Sequence, residues 1–292
     1  MDYTIKNVGA LPGGDAFLIT AGDTAALLDS GFSFCAEKMV ENIQAELGDK
    51  PLDLVLLTHS HYDHASGSPY CKAAWPGTQV VAGSYAAKIF SKPSARAFMR
   101  NMNDGVARDH GAYPYPDRLE ELTVDLPVEE GDTVDIGGLP FTVINTPGHT
   151  KCSVSYFCRE NGLLLASETP GVFDGEAVTP CYLVGYQMTL DSIEKLMACG
   201  AKNILLPHYG LLSEAESVWF LREAPRRSRE VMEDITGWYQ SGLTAKETAQ
   251  KYKDKYYTPA LAHFQPEKAF DVNAEYTVAL LVRECLGQVA LR

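Results

Sequence analysis

Short apolar runs dominate the first part of the chain, and their lengths predict strands. Ala16–Thr20 and Thr24–Asp29 flank the turn Ala21-Gly22-Asp23, the pattern of a hairpin. From Cys35 to Leu47 the period becomes helical, with Met39, Val40, Ile43 and Leu47 on one side and Gly48 as the stop. Leu52–Leu57 is a continuous apolar run of strand length, and it ends directly at a histidine cluster. Helices are expected at Tyr85–Phe90 and Ala95–Met102, followed by an irregular stretch holding Pro114 and Pro116. Strands are expected at Leu122–Leu126, Thr133–Ile136, Phe141–Asn145, Ser153–Cys158 and Leu163–Ala166, the last preceded by the turn pair Asn161-Gly162. Ser192–Cys199 reads as a helix stopped by Gly200, and Asn203–Leu206 as a strand ending at Pro207-His208.

After Leu212 the pattern turns charged and helical. Ser213–Gly237 is one helix, the capping box Thr244-Ala245-Lys246-Glu247 opens a second, and Asp271–Leu286 makes a third. The expected organisation is a strand-rich domain at residues 1–212 and a helical appendage at 213–292, with no internal repeat.

Composition narrows the function. At 292 residues and 46% apolar, the chain can bury a large α/β core. Its 38 acidic against 25 basic residues give a net charge of −13, which repels a polyanion, so nucleic acid is not an expected partner. The seven cysteines include no C-x-x-C pair, which argues against a disulfide framework or a zinc ribbon. The N-terminus has no apolar signal core, and no apolar run approaches the ~20 residues of a membrane span. The expectation is a cytoplasmic protein that acts on a small molecule and does not engage a membrane; a homo-oligomer is left open.

The chemistry is concentrated in one segment. Three of the seven histidines fall in His59-Ser60-His61-Tyr62-Asp63-His64, with Asp63 beside the last. Imidazole nitrogen and carboxylate oxygen suit Zn(II), Fe(II) and Mn(II). Residues two apart in an extended stretch point the same way, which pairs His59 with His61. One ion takes about four ligands, and this segment already offers four donors. Two more histidines, His149 in Thr146-Pro147-Gly148-His149-Thr150 and His208 in Leu206-Pro207-His208-Tyr209-Gly210, directly follow expected strands. Two ions are therefore expected. His110 and His263 sit beside no other donor and read as ordinary surface or core residues.

These motifs resemble the metallo-β-lactamase superfamily over about residues 3–212. The H-x-H-x-D-H signature matches at His59, His61, Asp63 and His64, the Thr-Pro-Gly-His-Thr motif at 146–150, and the early Asp-x-Gly at Asp29-Ser30-Gly31. The resemblance implies an α/β fold, a four-layer αββα sandwich, here with a C-terminal helical extension over the active-site mouth. It implies one metal on His59, His61 and His149, a second on Asp63, His64 and His208, and support of the site by Asp29. Zinc is expected ahead of iron or manganese. Where the family places a bridging aspartate, this chain has Ser167-Glu168-Thr169, so Glu168 is the acid in that place. Its carboxylate reaches about 1–1.5 Å further than an aspartate's. It either bridges, binds one metal, or is a solvated loop residue.

Two ions ~3.5–4 Å apart supply hydroxide at neutral pH and polarise the scissile carbonyl or phosphoryl group. Asp63 and His64 are the expected catalytic residues, with Asp63 orienting the nucleophile and passing a proton onward. The absence of Gly-x-Ser-x-Gly argues against a serine hydrolase. Secreted β-lactamases, flavodiiron oxidoreductases and ribonuclease-type members fit less well, given the lack of a signal segment, of a flavodoxin domain and of basic exosites. The appendage resembles that of glyoxalase II and of the alkylquinolone-pathway thioesterase, which points to an acyl ester or thioester. A phosphodiesterase, or a metal-binding signalling protein without catalysis, is the alternative. Tyr182, Tyr186, Met188 and Tyr209 are either pocket walls or ordinary packing. Arg226, Arg227 and Arg229 either bind a coenzyme A phosphate or form a solvated face.

Overall fold

The computed structural model describes residues 2–288; residue 1 and residues 289–292 of the expected domain limits lie outside the described residues. Two six-stranded sheets form its centre. The first runs in chain order: β1 (Tyr3–Asn7), β2 (Phe17–Ala21), β3 (Thr24–Leu28), β4 (Leu54–Leu56), β5 (Gln79–Gly83) and β6 (Leu126–Val128). The second contains β7 (Thr133–Ile136), β8 (Leu139–Asn145), β9 (Val154–Cys158) and β10 (Leu163–Leu165). After a separate ribbon of β11 (Val172–Phe173) and β12 (Val178–Thr179), it is completed by β13 (Asn203–Leu206) and β14 (Gly210–Leu211).

Parallel pairing from β3 to β6 requires crossovers, and helices supply most of them. α1 (Ala36–Leu47) joins β3 to β4. α2 (Tyr62–Ala65) and α3 (Ser68–Ala74) lie between β4 and β5. α4 (Ser84–Phe90) and α5 (Pro93–Asp109) lie between β5 and β6, and α6 (Tyr186–Ala198) precedes β13. Four helices follow the second sheet: α7 (Glu214–Gln240), α8 (Ala245–Tyr256), α9 (Pro259–Phe264) and α10 (Glu267–Leu286). Capping boxes Ser213/Glu216 and Thr244/Glu247 open α7 and α8.

The two-residue period of the strands sorts side chains into layers. Ile19, Leu28, Leu56 and Val81 pack between the sheets against Phe141, Val143, Tyr156 and Leu205. Their neighbours Leu18, Leu27, Val55 and Val80 face outward onto Met39, Ile43, Phe90 and Met99. On the other side Leu164, Ile204 and Leu206 meet Ile193 and Leu196 of α6 and Phe220 and Ala224 of α7. The product is the expected four-layer αββα sandwich. The C-terminal helices add a core of their own, with Val231, Ile235, Tyr252, Val278 and Leu281, that also takes in Tyr182 and Tyr186. Among the described residues no helix is long and apolar enough to cross a membrane.

Some elements differ from the pattern-based expectation. β1, β5 and α9 have no counterpart in it. The strand expected at Leu122–Leu126 starts only at Leu126, which pairs with Val81. Leu119 and Leu122 are instead buried under the helical layer, on and beside a 3-10 turn at Leu119–Glu121. Their apolar character serves helix packing, not sheet pairing. Pro127 is tolerated in β6 because that strand is a sheet edge.

Phe141 is wholly buried between the sheets. Phe141→Ala should lower stability by about 3–5 kcal/mol, read as a fall in the urea midpoint. A loss below about 1 kcal/mol would mean that the inter-sheet core does not depend on that ring.

Candidate metal centre

The site residues follow the C-terminal ends of strands in both sheets. Asp29 follows β3, His59 and His61 follow β4, and His149, Glu168 and His208 follow β8, β10 and β13. Asp63 and His64 lie on the short α2. β8, β10 and β13 run the same way, because β9 is antiparallel to both β8 and β10 and β10 is parallel to β13. The edges of the two sheets are tied where Val154 N–H donates to the Thr58 carbonyl at 2.9 Å.

Two groups of donors result. His59, His61, His149 and Glu168 form one, and Asp63, His64 and His208 the other, with the ligand atoms inside each group no more than 4.8 Å apart. Glu168 touches both. Its Oε2 lies 2.9 Å from His149 Nε2, 3.5 Å from His59 Nε2 and 3.6 Å from His64 Nε2, and its Oε1 lies 3.0 Å from His208 Nε2. Asp63 Oδ2 stands 3.7 Å from His64 Nε2 and 3.9 Å from His208 Nε2.

The scaffold fixes which nitrogen each ring turns inward. His64 Nδ1 donates to Asp29 Oδ2 at 2.8 Å, and His149 Nδ1 donates to the Cys181 carbonyl at 2.8 Å. Each ring then turns Nε2 into the site, the arrangement outer hydrogen bonds impose on metal-binding histidines. Asp29 Oδ1 also accepts from the Thr58 N–H at 2.8 Å, and Thr58 Oγ1 lies 3.0 Å from His59 Nδ1. Ser30 N–H and Oγ both donate to the His64 carbonyl, at 2.6 and 2.9 Å. Asp29 (φ 55°) and His208 (φ 64°) adopt the left-handed region. Such conformations cost on the order of 1–3 kcal/mol where a side chain is not suited to them, and they cluster at functional sites. For His208 the conformation makes the turn between β13 and β14, where Leu206 pairs with Gly210.

The electrostatics call for a cation. Burial works against the charge on Glu168, but the facing imidazoles of His149 and His208 outweigh it and hold the carboxylate well below its ordinary range. Burial likewise opposes charge on His64, yet Asp29 and Asp63 push its pKa up to about 10. His59 and His61 are driven well below the usual imidazole value, by burial first and then by neighbouring imidazoles. His59 Nε2, His64 Nε2 and Asp63 Oδ1 are buried without a hydrogen-bond partner. Leaving such groups unpaired costs about 1–3 kcal/mol each. Divalent ions between the two groups would satisfy His59 Nε2 and His64 Nε2, and the nitrogen and oxygen donors fit zinc, iron or manganese.

A cavity of about 300 Å³ opens over this ring, with His61, Asp63, His149, Glu168 and His208 on its surface. Its walls are not the residues offered as candidates. Tyr182 is wholly buried and donates to the Ser228 carbonyl, and Tyr186 packs beside it in the appendage core. Tyr209 packs on Phe173, and neither it nor Met188 lines the cavity. Arg226 pairs with Glu223 and Glu230, Arg227 with Glu230 and the Val178 carbonyl, and Arg229 reaches the Pro225 carbonyl; none of the three lines the cavity. The structure thus places all of these candidates away from the pocket, most of them engaged with groups inside the fold. His110 and His263 stand outside both donor groups. Sequence reading missed Asp15, whose carboxylate lies 3.6 Å from His208 Nδ1, and the Cys181 carbonyl behind His149. No local motif marks either.

Comparison with known proteins agrees with this geometry. The sequence model of the metallo-beta-lactamase superfamily matches residues 10–208. A hydroxyacylglutathione hydrolase of Legionella pneumophila (strain Lens) is 27% identical over 137 residues, 45% of this chain and 41% of that protein. The chain thus matches about two fifths of the length of that relative. A metallo-beta-lactamase fold-containing protein of Sulfurisphaera tokodaii is 23% identical over 62% of this chain and 73% of its own length. A solved metallo-beta-lactamase family protein of Thermus thermophilus superposes with a TM-score of 0.67 at 19% identity, covering 98% of this chain and 94% of its own.

Gly67 lies between α2 and α3 and allows His64 to be held where it is. A Cβ there would stand 1.9 Å from the Ser30 carbonyl oxygen, the neighbour of the two groups that grip His64. Gly67→Ala should therefore cost more than about 2 kcal/mol, seen as a lowered thermal midpoint. An unchanged midpoint would show that the Ser30 segment can move aside.

Proposed function

The chain belongs to the metallo-beta-lactamase superfamily, and from that premise we propose that it is a dinuclear metal-dependent hydrolase of an acyl ester or thioester. One observation carries the reading: seven side chains turn their donor atoms toward one another, and five of them stand at the surface of a cavity. The relative named hydroxyacylglutathione hydrolase supports the thioester class, since an acylglutathione is an S-acyl compound. In this reading the catalytic unit is residues 1–212, and residues 213–292 complete its pocket.

His59, His61 and His149 would hold one ion, Asp63, His64 and His208 the other, and Glu168 would reach both. When bound, such a pair lowers the pKa of a water molecule and polarises a carbonyl oxygen. His64 serves to hold, its Nδ1 being committed to Asp29. Asp63 moves the proton. Its Oδ1 is buried and unpartnered, so it can take a proton from the attacking water. The water oxygen bonds to the acyl carbon, the C–S or C–O bond breaks, and Asp63 Oδ1 returns the proton to the leaving thiolate or alkoxide. Asp29, Thr58 and Ser30 position His59 and His64.

Purified protein replete with metal should contain two divalent ions per chain by elemental analysis. Glu168→Asp should hold one ion less tightly, because a carboxylate about 1.5 Å shorter cannot reach both His149 and His208 neighbourhoods from the same backbone. One ion or none in the unaltered protein would defeat the dinuclear assignment.

Activity is tested with acyl-thioesters, aryl esters, lactones and bis-p-nitrophenyl phosphate in parallel. Turnover of an acyl compound that falls at least a hundredfold in Asp63→Ala is expected. Turnover of the phosphodiester alone would replace the acyl reading.

A further inference from the structure

The cavity over the donor ring is lined from distant parts of the chain. Phe98 and Met102 stand on α5, while Ala269, Val272 and Tyr276 stand on α10. The two helices are joined by the ion pair Lys268–Asp109 at 2.8 Å. Phe98, Val272 and Tyr276 keep 60%, 41% and 61% of their surface exposed, so the rim shows apolar and aromatic groups to solvent directly beside the site. Exposed apolar surface that is contiguous with a polar centre marks a binding trough.

Among the described residues the walls carry no charge. Outside the donor ring, the polar side chains along the cavity are neutral: Thr150, Gln265, Asn273 and the phenols of Tyr62 and Tyr276. Among the described residues no lysine or arginine lines it. A ligand tail carrying carboxylates or phosphates would find no cation there, against the field of a chain with net charge −13. The volume of about 300 Å³ suits a small ligand, whose pockets run from about 300 to 1,000 Å³.

We propose that the trough between α5 and α10 binds an uncharged aliphatic acyl chain, whose carbonyl group meets the donor ring. This rests on the hydrolase reading above and narrows its substrate class. Glutathione and coenzyme A are not the preferred leaving groups, because among the described residues their charged portions meet no cation in the walls. The acyl chain would cover Phe98, Val272 and Tyr276, and each methylene placed there should tighten binding about two- to fourfold.

The experiment measures binding and turnover separately on the metal-loaded full chain. Straight-chain alkanoates from acetate to dodecanoate are titrated calorimetrically, and p-nitrophenyl esters of the same acids are assayed beside the acylglutathiones. The expected result is a Kd that falls about two- to fourfold per methylene and then levels once the chain outgrows the trough. Val272→Asp, at an exposed position, should flatten that slope, and Ala269→Phe should move the levelling point to a shorter chain. A Kd independent of chain length, or acylglutathiones preferred over aryl esters of the same acyl group, overturns the proposal. A sloped Kd without ester hydrolysis sinks the hydrolase reading and leaves the trough; hydrolysis with a flat Kd does the reverse.

Discussion

Five imidazoles and two carboxylates turn lone pairs toward a common space from which solvent is largely excluded. Donors packed this way repel or go unsatisfied unless positive charge stands between them. That constraint explains the surroundings. Asp29 receives the outer nitrogen of His64 and the backbone of Thr58, the Cys181 carbonyl receives that of His149, and Ser30 grips the His64 carbonyl. Each contact commits an outer hydrogen-bonding group to the scaffold, so that the inner one is left for a cation.

The scaffold can bear this because the site rests on strand ends. Strands β3 and β4 of one sheet and β8, β10 and β13 of the other all finish at the same edge of the sandwich, each anchored by side chains buried on both faces. The unfavourable backbone at His208 and the close approach of Gly67 to Ser30 are local costs held in place by that core. Ligand geometry is then insensitive to the loops that carry it, as a preformed site requires.

The cavity is organised differently. The donor ring comes from the two-sheet core, whereas the cavity walls come from α5, from Val172, Leu183 and Val184, and from the segment after residue 212. The appendage has its own apolar cluster, built around Tyr182, Tyr252 and Phe270, which fixes α10 against the core and sets the far wall of the trough. The tyrosines that looked like pocket candidates serve this purpose: a buried phenol such as Tyr182 directs its hydroxyl to a backbone carbonyl and its ring to packing.

Much of the fold and the donor set was legible in the chain itself. Alternation and run length marked the β2–β3 hairpin, α1 and the second sheet. The spacing of His59, His61, Asp63 and His64 needs only local geometry, and the order of the later motifs led to His149, Glu168 and His208. What failed to show was whatever depends on contact between distant segments. β5 and β6 are short strands whose identity is set by register against their neighbours, Val81 on Leu126. Asp15 beside His208, the Cys181 carbonyl behind His149, and Phe98 and Val272 on one cavity join positions far apart in sequence. A hydrophobic period states that one face of an element is buried, and a motif states that donors lie close together. Neither states which other element covers the face or which carbonyl stands behind the ring. Those were decided only when the two sheets and the C-terminal helices packed, because burial is satisfied by any apolar partner of the right shape and the fold supplies a particular one.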